Sequence, residues 1–191
     1  MSKDPGMELY YQYLLSKNGE VYKKSRRRVA RSFVTGFTKM LYGCMGATYA
    51  ITEGTDGVSR YFDPTNYVIY LDANAGDSGN GLVVGTGTNA VNVGDYALQT
   101  LIAHGASAGQ LQYSACTVAL PDFTSTTAEL TITRLFTNAS GNTITVEEIG
   151  IYIYMLWVSG EKYVCLARDL ATVVIANGST LTLNYVMQTT L

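Results

Sequence analysis

Alternating polar and apolar side chains dominate the last third of the chain. Residues 127–136 alternate, residues 143–146 resume the alternation, and residues 149–158 are a run of β-branched and aromatic side chains. A period of two is typical of a half-buried strand, because successive side chains point to opposite faces. Residues 137–142 tolerate turn geometry. The pattern therefore predicts two long antiparallel strands joined by a turn centred on Ser-Gly-Asn.

Shorter strand signals surround this predicted hairpin. They fall at residues 67–71, 82–84, 111–120, 162–170 and 180–187. The last two are separated by an Ala-Asn-Gly-Ser turn. Strand signals that recur about every ten residues are typical of β-sandwiches and jelly rolls. We predict a mainly β protein whose residues 67–191 form an antiparallel β-sandwich of the jelly-roll or Ig-like kind.

The N-terminal part has a different pattern. Residues 7–15 fit a short helix or an extended arm, and apolar side chains then recur at helical spacing over residues 20–45. Residues 47–66 are rich in Gly, Thr and Asp, as in a connecting loop. The pattern predicts a basic N-terminal α-helical arm over residues 1–46, followed by a connecting loop over residues 47–66.

Composition and charge refine this picture. The 191 residues suit one domain, and a hydrophobic content of 47% is enough to build a core. Residues 1–40 carry nine Lys or Arg against three Asp or Glu, a net charge of +6, and the remainder carries four against twelve, a net charge of −8. A basic arm on an acidic body suits head-to-tail packing between copies. The alternative is a solvated helix face.

The candidate interaction residues are the basic cluster of the arm and two aromatic residues of the same stripe. They are Lys23, Lys24, Arg26, Arg27, Arg28, Arg31, Phe33 and Phe37. The cluster has the charge to contact nucleic-acid phosphates, but it is short and lacks an aromatic stacking surface in a β context. We therefore favour a protein partner, either another copy or a neighbouring protein.

The cysteines and glycines do not point to a cofactor. Cys44, Cys116 and Cys165 are odd in number and widely spaced, which argues against a disulfide framework and a zinc site. Residues 85–90 fit the letters of a dinucleotide-binding G-x-G-x-x-A motif. No helix start follows them, so we interpret the segment as a turn.

The acidic residues give only weak signals for chemistry. Asp72, Asn74 and Asp77, with Asp95 nearby, offer oxygen ligands for Ca²⁺, but the EF-hand spacing fails and we expect a solvated hairpin tip. The adjacent residues Glu147 and Glu148 should point to opposite faces of a strand, so they are not an acid/base pair.

Other candidate catalytic and modification sites are equally weak. His104 is the single histidine and there is no G-x-S-x-G elbow, so we predict no enzyme activity, metal or cofactor. A lone Arg134 amid strand residues is expected to pair with Glu147 or Asp169. Glycosylation sequons begin at Asn138 and Asn177, but we interpret both as turns because the chain shows no secretory signal or bilayer-spanning segment.

Four segments carry a resemblance to a known group of proteins. They are residues 31–41, residues 81–88 with 95–98, residues 134–152 (RLFTNASGNTITVEEIGIY) and residues 167–170. Their order resembles that in poorly characterised β-sandwich virion structural proteins of tailed bacteriophages and related viruses, over residues 30–191. The resemblance implies a non-enzymatic component of the tail, neck or capsid surface, made in the host cytoplasm and carried in the virion.

Two other functions remain as alternatives to this expectation. An adhesin or carbohydrate-binding module would use Tyr-rich loops and the acidic tip over residues 72–81, because aromatic faces and Asp or Asn side chains suit polyols. An enzyme such as a depolymerase is the least favoured, since the sequence offers no acid/base pair. No membrane partner is expected.

Overall fold

The computed structural model describes residues 6–30, 33–46, 50–62, 69–157 and 160–190. These residues form fourteen strands and one helix. In chain order the elements are β1 (Gly6–Lys17), β2 (Glu20–Lys24), β3 (Arg28–Ala30), α1 (Thr35–Gly46), β4 (Ala50–Glu53), β5 (Ser59–Phe62), β6 (Ile69–Tyr70), β7 (Gly81–Gly85), β8 (Gln112–Tyr113), β9 (Thr117–Val118), β10 (Asp122–Phe123), β11 (Thr127–Thr137), β12 (Ile144–Trp157), β13 (Gly160–Ile175) and β14 (Ser179–Thr190).

The strands form three sheets, and every pair of strands within them is antiparallel. The largest sheet has the order β10-β11-β14-β1-β2, with β3 also on β1 and with β8 and β9 also on β11. The second sheet has the order β13-β12-β6, with β7 also on β12, and β4 pairs with β5 in the third. The prediction of a mainly β, antiparallel protein is confirmed.

The two strands predicted from the last third of the chain exist, but they do not pair with each other. β11 pairs with β14 from Thr127↔Thr190 to Thr137↔Thr180. β12 pairs instead with β13, from Ile144↔Ile175 to Trp157↔Gly160. The predicted hairpin around Ser-Gly-Asn is therefore wrong, because the chain passes from one sheet to the other at that point.

Side-chain hydrogen bonds at this corner explain the change of sheet. Asn138 is fully buried, and its Nδ2 donates to the carbonyl oxygens of Asn142 and Ile175, each at 2.8 Å. The Gly141 amide donates to Asn177 Oδ1 at 2.9 Å. Residues 138–142 are thus bonded to the turn beside them, rather than closing a tight turn between their own flanking strands. The amide of Asn138 is used inside the protein, which supports the turn interpretation of that sequon.

Buried side chains from both large sheets lie in one hydrophobic cluster. The alternation predicted for β14 holds, since Leu181, Leu183 and Tyr185 are buried while Thr180 and Thr182 are only partly covered. The same cluster includes β12 and β13 residues such as Ile151 and Val173. Burial of each such aliphatic side chain contributes about 1.5–3 kcal/mol, which makes this cluster the main source of stability.

The helical prediction for the N-terminal part is wrong over residues 6–30. β1 is an inner strand of the large sheet, between β14 and β2. Leu9, Tyr11 and Tyr13 alternate into the core with period two, and Asn18 and Gly19 both have positive φ in a two-residue hairpin turn. The helical spacing over residues 20–30 was coincidental, because these residues lie in β2, β3 and the segment between them.

The single helix of the described residues packs against the core through Gly36. A Cβ atom at this position would lie 2.2 Å from the Cys165 carbonyl oxygen, so only glycine lets the helix approach β13 this closely. The rings of Phe33 and Phe37 stack with centroids 3.9 Å apart and pack on the core.

The predicted connecting loop over residues 47–66 contains a hairpin where it is described. β4 and β5 pair from Ala50↔Phe62 to Glu53↔Ser59. The turn between them is stabilised by Arg60, which donates to both carboxylate oxygens of Asp56 at 2.7 Å. Residues 47–49 and 63–66 of the predicted loop lie outside the described residues.

Candidate interaction site

The basic residues predicted to contact a partner lie at one edge of the large sheet. β2 ends the sheet order, and all five of its residues are exposed. Val21 and Tyr22 expose 56% and 54% of their surface, and Lys23, Lys24 and Arg26 beside them are also exposed. We call these five residues the basic edge. It combines a strand edge that is unpaired within the described ranges, two apolar side chains and three positive charges.

The remaining predicted interaction residues contact this chain itself. Arg27 donates to Glu129 Oε1 at 2.8 Å and Oε2 at 3.1 Å, and the Arg27 hydrogen bond lowers the pKa of Glu129. Arg28 is exposed on β3, where the Tyr11 hydroxyl raises its pKa. Phe33 and Phe37 are partly buried against the core, and Arg31 lies outside the described residues.

Arg134 of β11 is a fully buried cation that sequence reasoning placed with the wrong partners. Its guanidinium donates five hydrogen bonds at N···O distances between 2.5 and 3.2 Å. All five acceptors are main-chain carbonyl oxygens, those of Asn74, Asp77, Asn80, Leu82 and Ser114. The expected pairing of Arg134 with a carboxylate is therefore wrong.

The two carboxylates expected to bind Arg134 have other partners. Glu147 accepts a hydrogen bond from Thr172 Oγ1 at 2.7 Å, and Asp169 accepts one from the Tyr185 hydroxyl at 3.0 Å. Burial lowers the pKa of Arg134, and the ring of Tyr113 lies 4.7 Å from the guanidinium carbon. Arg134 therefore holds the loop over residues 74–82 against the large sheet.

Glu148 of β12 is the second fully buried charge. Its Oε1 accepts from the backbone amides of Gly87 at 3.0 Å and Thr100 at 2.8 Å. Its Oε2 accepts from the Gln99 amide at 3.0 Å and from Arg168 Nε at 2.8 Å. Four N–H donors bind this one carboxylate, so hydrogen bonds from the protein replace those that water would make to the charge.

Arg168 extends this cluster to a second carboxylate. It donates to Asp95 Oδ2 at 2.8 Å and to the Asn89 carbonyl oxygen at 3.1 Å. Burial opposes the charge of Arg168, but the hydrogen bonds to Glu148 and Asp95 outweigh it, so the pKa of Arg168 is raised. Together the three side chains fix the long loop over residues 86–100 to the second sheet.

The G-x-G-x-x-A segment surrounds this carboxylate. A Cβ atom on Gly87 would lie 2.4 Å from Gln99 Cβ and 2.5 Å from Glu148 Oε1. A Cβ atom on Gly85 would also lie 2.5 Å from Glu148 Oε1. Glycine is needed at both positions because the main chain lies directly against an anion, as it does in a phosphate-binding loop. Here the anion is the carboxylate of Glu148 in the same chain.

The two adjacent glutamates point to opposite sides of β12, as predicted. Glu148 is fully buried among backbone amides, whereas Glu147 is half-buried and bonded to Thr172 on the neighbouring strand.

A further buried contact joins the two large sheets, since the Tyr185 hydroxyl of β14 donates to Asp169 of β13. Burial first, and then the Asp169 carboxylate, raises the pKa of Tyr185.

The acidic tip forms one wall of an open depression of about 320 Å³, which we call the tyrosine pocket. Its lining residues are Tyr70, Asp72, Ala73, Asn74, Asp77, Asn80, Tyr154 and Tyr163. The expected neighbour Asp95 is not among them, because it binds Arg168.

Neither the tip nor His104 forms a recognisable catalytic or metal centre. Across the described ranges, no three His, Cys, Asp or Glu side chains are placed to hold a metal ion. Nδ1 of His104 accepts a hydrogen bond from the Tyr113 amide at 3.0 Å, so the ring supports the main chain there. No helix within the described part of the chain is long and apolar enough to cross a membrane.

Comparison with known proteins gives no further assignment. No protein-family model, curated protein or solved structure matches the chain. The resemblance to phage virion proteins therefore stays an expectation from the sequence. The sequence named Lys23, Lys24 and Arg26 as candidates but placed them on a helix, and it did not reveal the roles of Arg134, Glu148 and Arg168.

Proposed function

We propose that the chain is a non-enzymatic structural subunit of a tailed-phage particle, in the tail, neck or capsid surface. In this proposal the two large sheets stack as an antiparallel β-sandwich of the jelly-roll or Ig-like kind. Copies of the subunit then assemble through the sandwich and the basic N-terminal segment. Its place is in the virion, after synthesis in the host cytoplasm.

The observation that carries this proposal is the basic edge. An exposed edge strand is a template for pairing with another chain, and proteins that stay monomeric usually protect it with charge, bulges or covering loops. β2 does carry Lys23 and Lys24, but it also exposes Val21 and Tyr22. Exposed apolar side chains among positive charges suit a specific contact with an acidic surface.

The use of the buried charges supports a structural role over a catalytic one. Arg134, Glu148 and Arg168 direct their hydrogen bonds to this chain's own loops and strands. A catalytic acid or base must reach a reacting atom in a cleft, so groups that are bonded on all sides suit a rigid building block. The sequence resemblance to virion proteins points in the same direction.

Mass measurement and imaging of the purified protein test this proposal. We expect light scattering to give an oligomer, and electron microscopy of phage particles to place the protein in them. The double variant Lys23→Glu/Lys24→Glu should lose the oligomer, while Lys39→Glu, a control on α1 that makes one of the same Lys→Glu changes, should keep it. A wild-type protein that stays monomeric and is absent from particles would contradict the proposal.

An adhesin or carbohydrate-binding module is the second candidate function. The tyrosine pocket favours it, because aromatic rings lie beside the acidic and amide side chains of the tip. A glycan array, probed with Ca²⁺ and with a chelator, distinguishes the two functions. Binding of a defined saccharide that is lost in Tyr70→Ala would support this second function.

A further inference from the structure

Three tyrosine rings form part of the wall of the tyrosine pocket. The ring centroids of Tyr70 and Tyr154 are 6.1 Å apart with the planes tilted by 44°, and those of Tyr154 and Tyr163 are 6.1 Å apart at 61°. Rings at such distances and angles pack against each other. The π face of a tyrosine ring attracts a cation that lies within about 6 Å of the ring centroid.

Two acceptors of the pocket, the Asp72 carboxylate and Asn80 Oδ1, have no partner among the described residues. The Asp72 carboxylate is exposed and has no hydrogen bond or ion pair within the described part of the chain. Asn80 is only 4% exposed; its Nδ2 donates to the Asp72 carbonyl oxygen, and its Oδ1 has no partner among the described residues. The described residues that line the pocket include no Lys or Arg.

The loop that carries these acceptors is held in place before any ligand arrives. Arg134 donates hydrogen bonds to the carbonyl oxygens of Asn74, Asp77 and Asn80. Within the loop, Asp77 Oδ1 accepts a hydrogen bond from the Gly79 amide at 2.7 Å. The positive charge of Arg134 is directed at these carbonyl groups and does not line the pocket. A preorganised site loses less entropy on binding, so this loop is suited to recognition.

Acidic side chains, tilted tyrosines and a buried unused acceptor together fit a cationic side chain that donates N–H groups. The basic edge carries such side chains on the same protein, and Lys24 and Arg26 are exposed there. We infer that the tyrosine pocket of one copy receives a lysine or arginine from the basic edge of a second copy. This inference rests on the proposed function, since it requires that the chain assembles with itself.

One contact determines which surfaces stay free. Pocket and basic edge are different surfaces of one chain, so a single contact leaves a free edge on one copy and a free pocket on the other. Further copies that bind there build a closed ring or an open filament, whereas two copies that exchange both contacts form a two-fold dimer. Removing either surface stops growth but leaves the other surface able to bind.

Charge reversal on either side provides the test. We expect Asp72→Lys and Lys23→Glu/Lys24→Glu each to weaken self-association about tenfold or more, measured by light scattering over a concentration series. An equimolar mixture of the two variants should form a 1:1 complex that does not grow, because only one intact pocket meets one intact edge. Asp122→Lys, a control with the same charge change on β10, should assemble like the wild type.

The outcomes separate this inference from the proposed function. If Asp72→Lys remains folded by circular dichroism and assembles like the wild type, the inference is wrong while the structural-subunit proposal stands. If the two variants fail to form the 1:1 complex, the pocket and the edge are not partners. A wild-type protein that never self-associates would refute both, and saccharide binding that requires Tyr70 would assign the pocket to a glycan instead.

Discussion

Replacing Arg134 with methionine should destabilise the protein more than any other single change on the large sheet. Methionine keeps much of the side-chain length and is tolerated in a core. The substitution removes all five N–H donors, so five carbonyl oxygens lose the guanidinium, although the Asn74 oxygen keeps its hydrogen bond from the Asp77 amide. Four of these carbonyls belong to residues 74–82, the loop that forms the tyrosine pocket.

The expected magnitude follows from the number and type of these bonds. A hydrogen bond to a charged group contributes about 1.5–3 kcal/mol, and a buried acceptor without a partner costs about 1–3 kcal/mol. Movement of the loop toward water recovers part of this loss, so we expect a decrease of about 4 kcal/mol or more in the free energy of unfolding. The matched change Arg26→Met, on the exposed surface, should alter stability by about 0.5 kcal/mol or less.

Urea unfolding with linear extrapolation measures both variants, and amide hydrogen exchange locates the effect. In Arg134→Met the amides of Gly76 and Asp77, which donate to Tyr113 and Asn74, should exchange faster than in the wild type. The reasoning is refuted if Arg134→Met loses less than about 1 kcal/mol and these amides keep their protection. Such a result would mean that the carbonyl groups find equally good partners without the guanidinium.

Four further predictions test the second sheet, the surface and the core. Glu148→Gln leaves the buried guanidinium of Arg168 with Asp95 as its one remaining carboxylate partner among the described residues and should cost about 3 kcal/mol in urea unfolding. Gly87→Ala should cost about 1–3 kcal/mol because its Cβ overlaps two side chains. The Arg27 hydrogen bond lowers the pKa of Glu129 in the folded state. The pair therefore stabilises the folded protein fully at a pH above the pKa that Glu129 has in the unfolded chain. This stabilisation is lost as the pH falls through the lower pKa of Glu129 in the folded protein. Glu129→Gln should therefore lower stability by about 0.5 kcal/mol at neutral pH and by progressively less as the pH falls below the unfolded-state pKa, whereas an effect that does not change with pH would contradict the pairing. Maleimide should modify only Cys44 in the native protein and all three cysteines in urea, and rapid native labelling of a second cysteine would contradict the burial of the other two.

Side-chain alternation predicted the strands well because it depends only on neighbouring residues. β11, β14 and the buried strand β7 appear where the period-two pattern or the apolar run placed them. Pairing was harder, because β11 and β12 flank a turn-like segment yet join different sheets. The direction taken by the chain there depends on Asn138, whose partner Ile175 is distant in sequence.

The hairpin between β1 and β2, where a helix was predicted, does have a local sequence signal. Asn18-Gly19 is a strong two-residue hairpin signal, and both residues adopt positive φ between β1 and β2. Apolar residues at helical spacing farther along the chain suggested a helix across the whole region. Only residues from Thr35 onward form one, where Gly36 packs the helix on β13.

The buried charges could not have been placed from sequence alone. Arg134 binds carbonyl groups up to sixty positions away, and carbonyls carry no sequence signature. The Gly85-x-Gly87 motif was interpreted as a turn, because its local context excluded a dinucleotide site. Only the fold shows that the Gly87 amide binds an anion and that the anion is Glu148.

An electron cryomicroscopy map of the assembled protein tests the central claim most directly. The account predicts neighbouring copies joined through β2, with side-chain density from the basic edge of one copy in contact with an acidic surface of the next. A map in which β2 faces solvent in every copy, while another surface makes all the contacts, would contradict it.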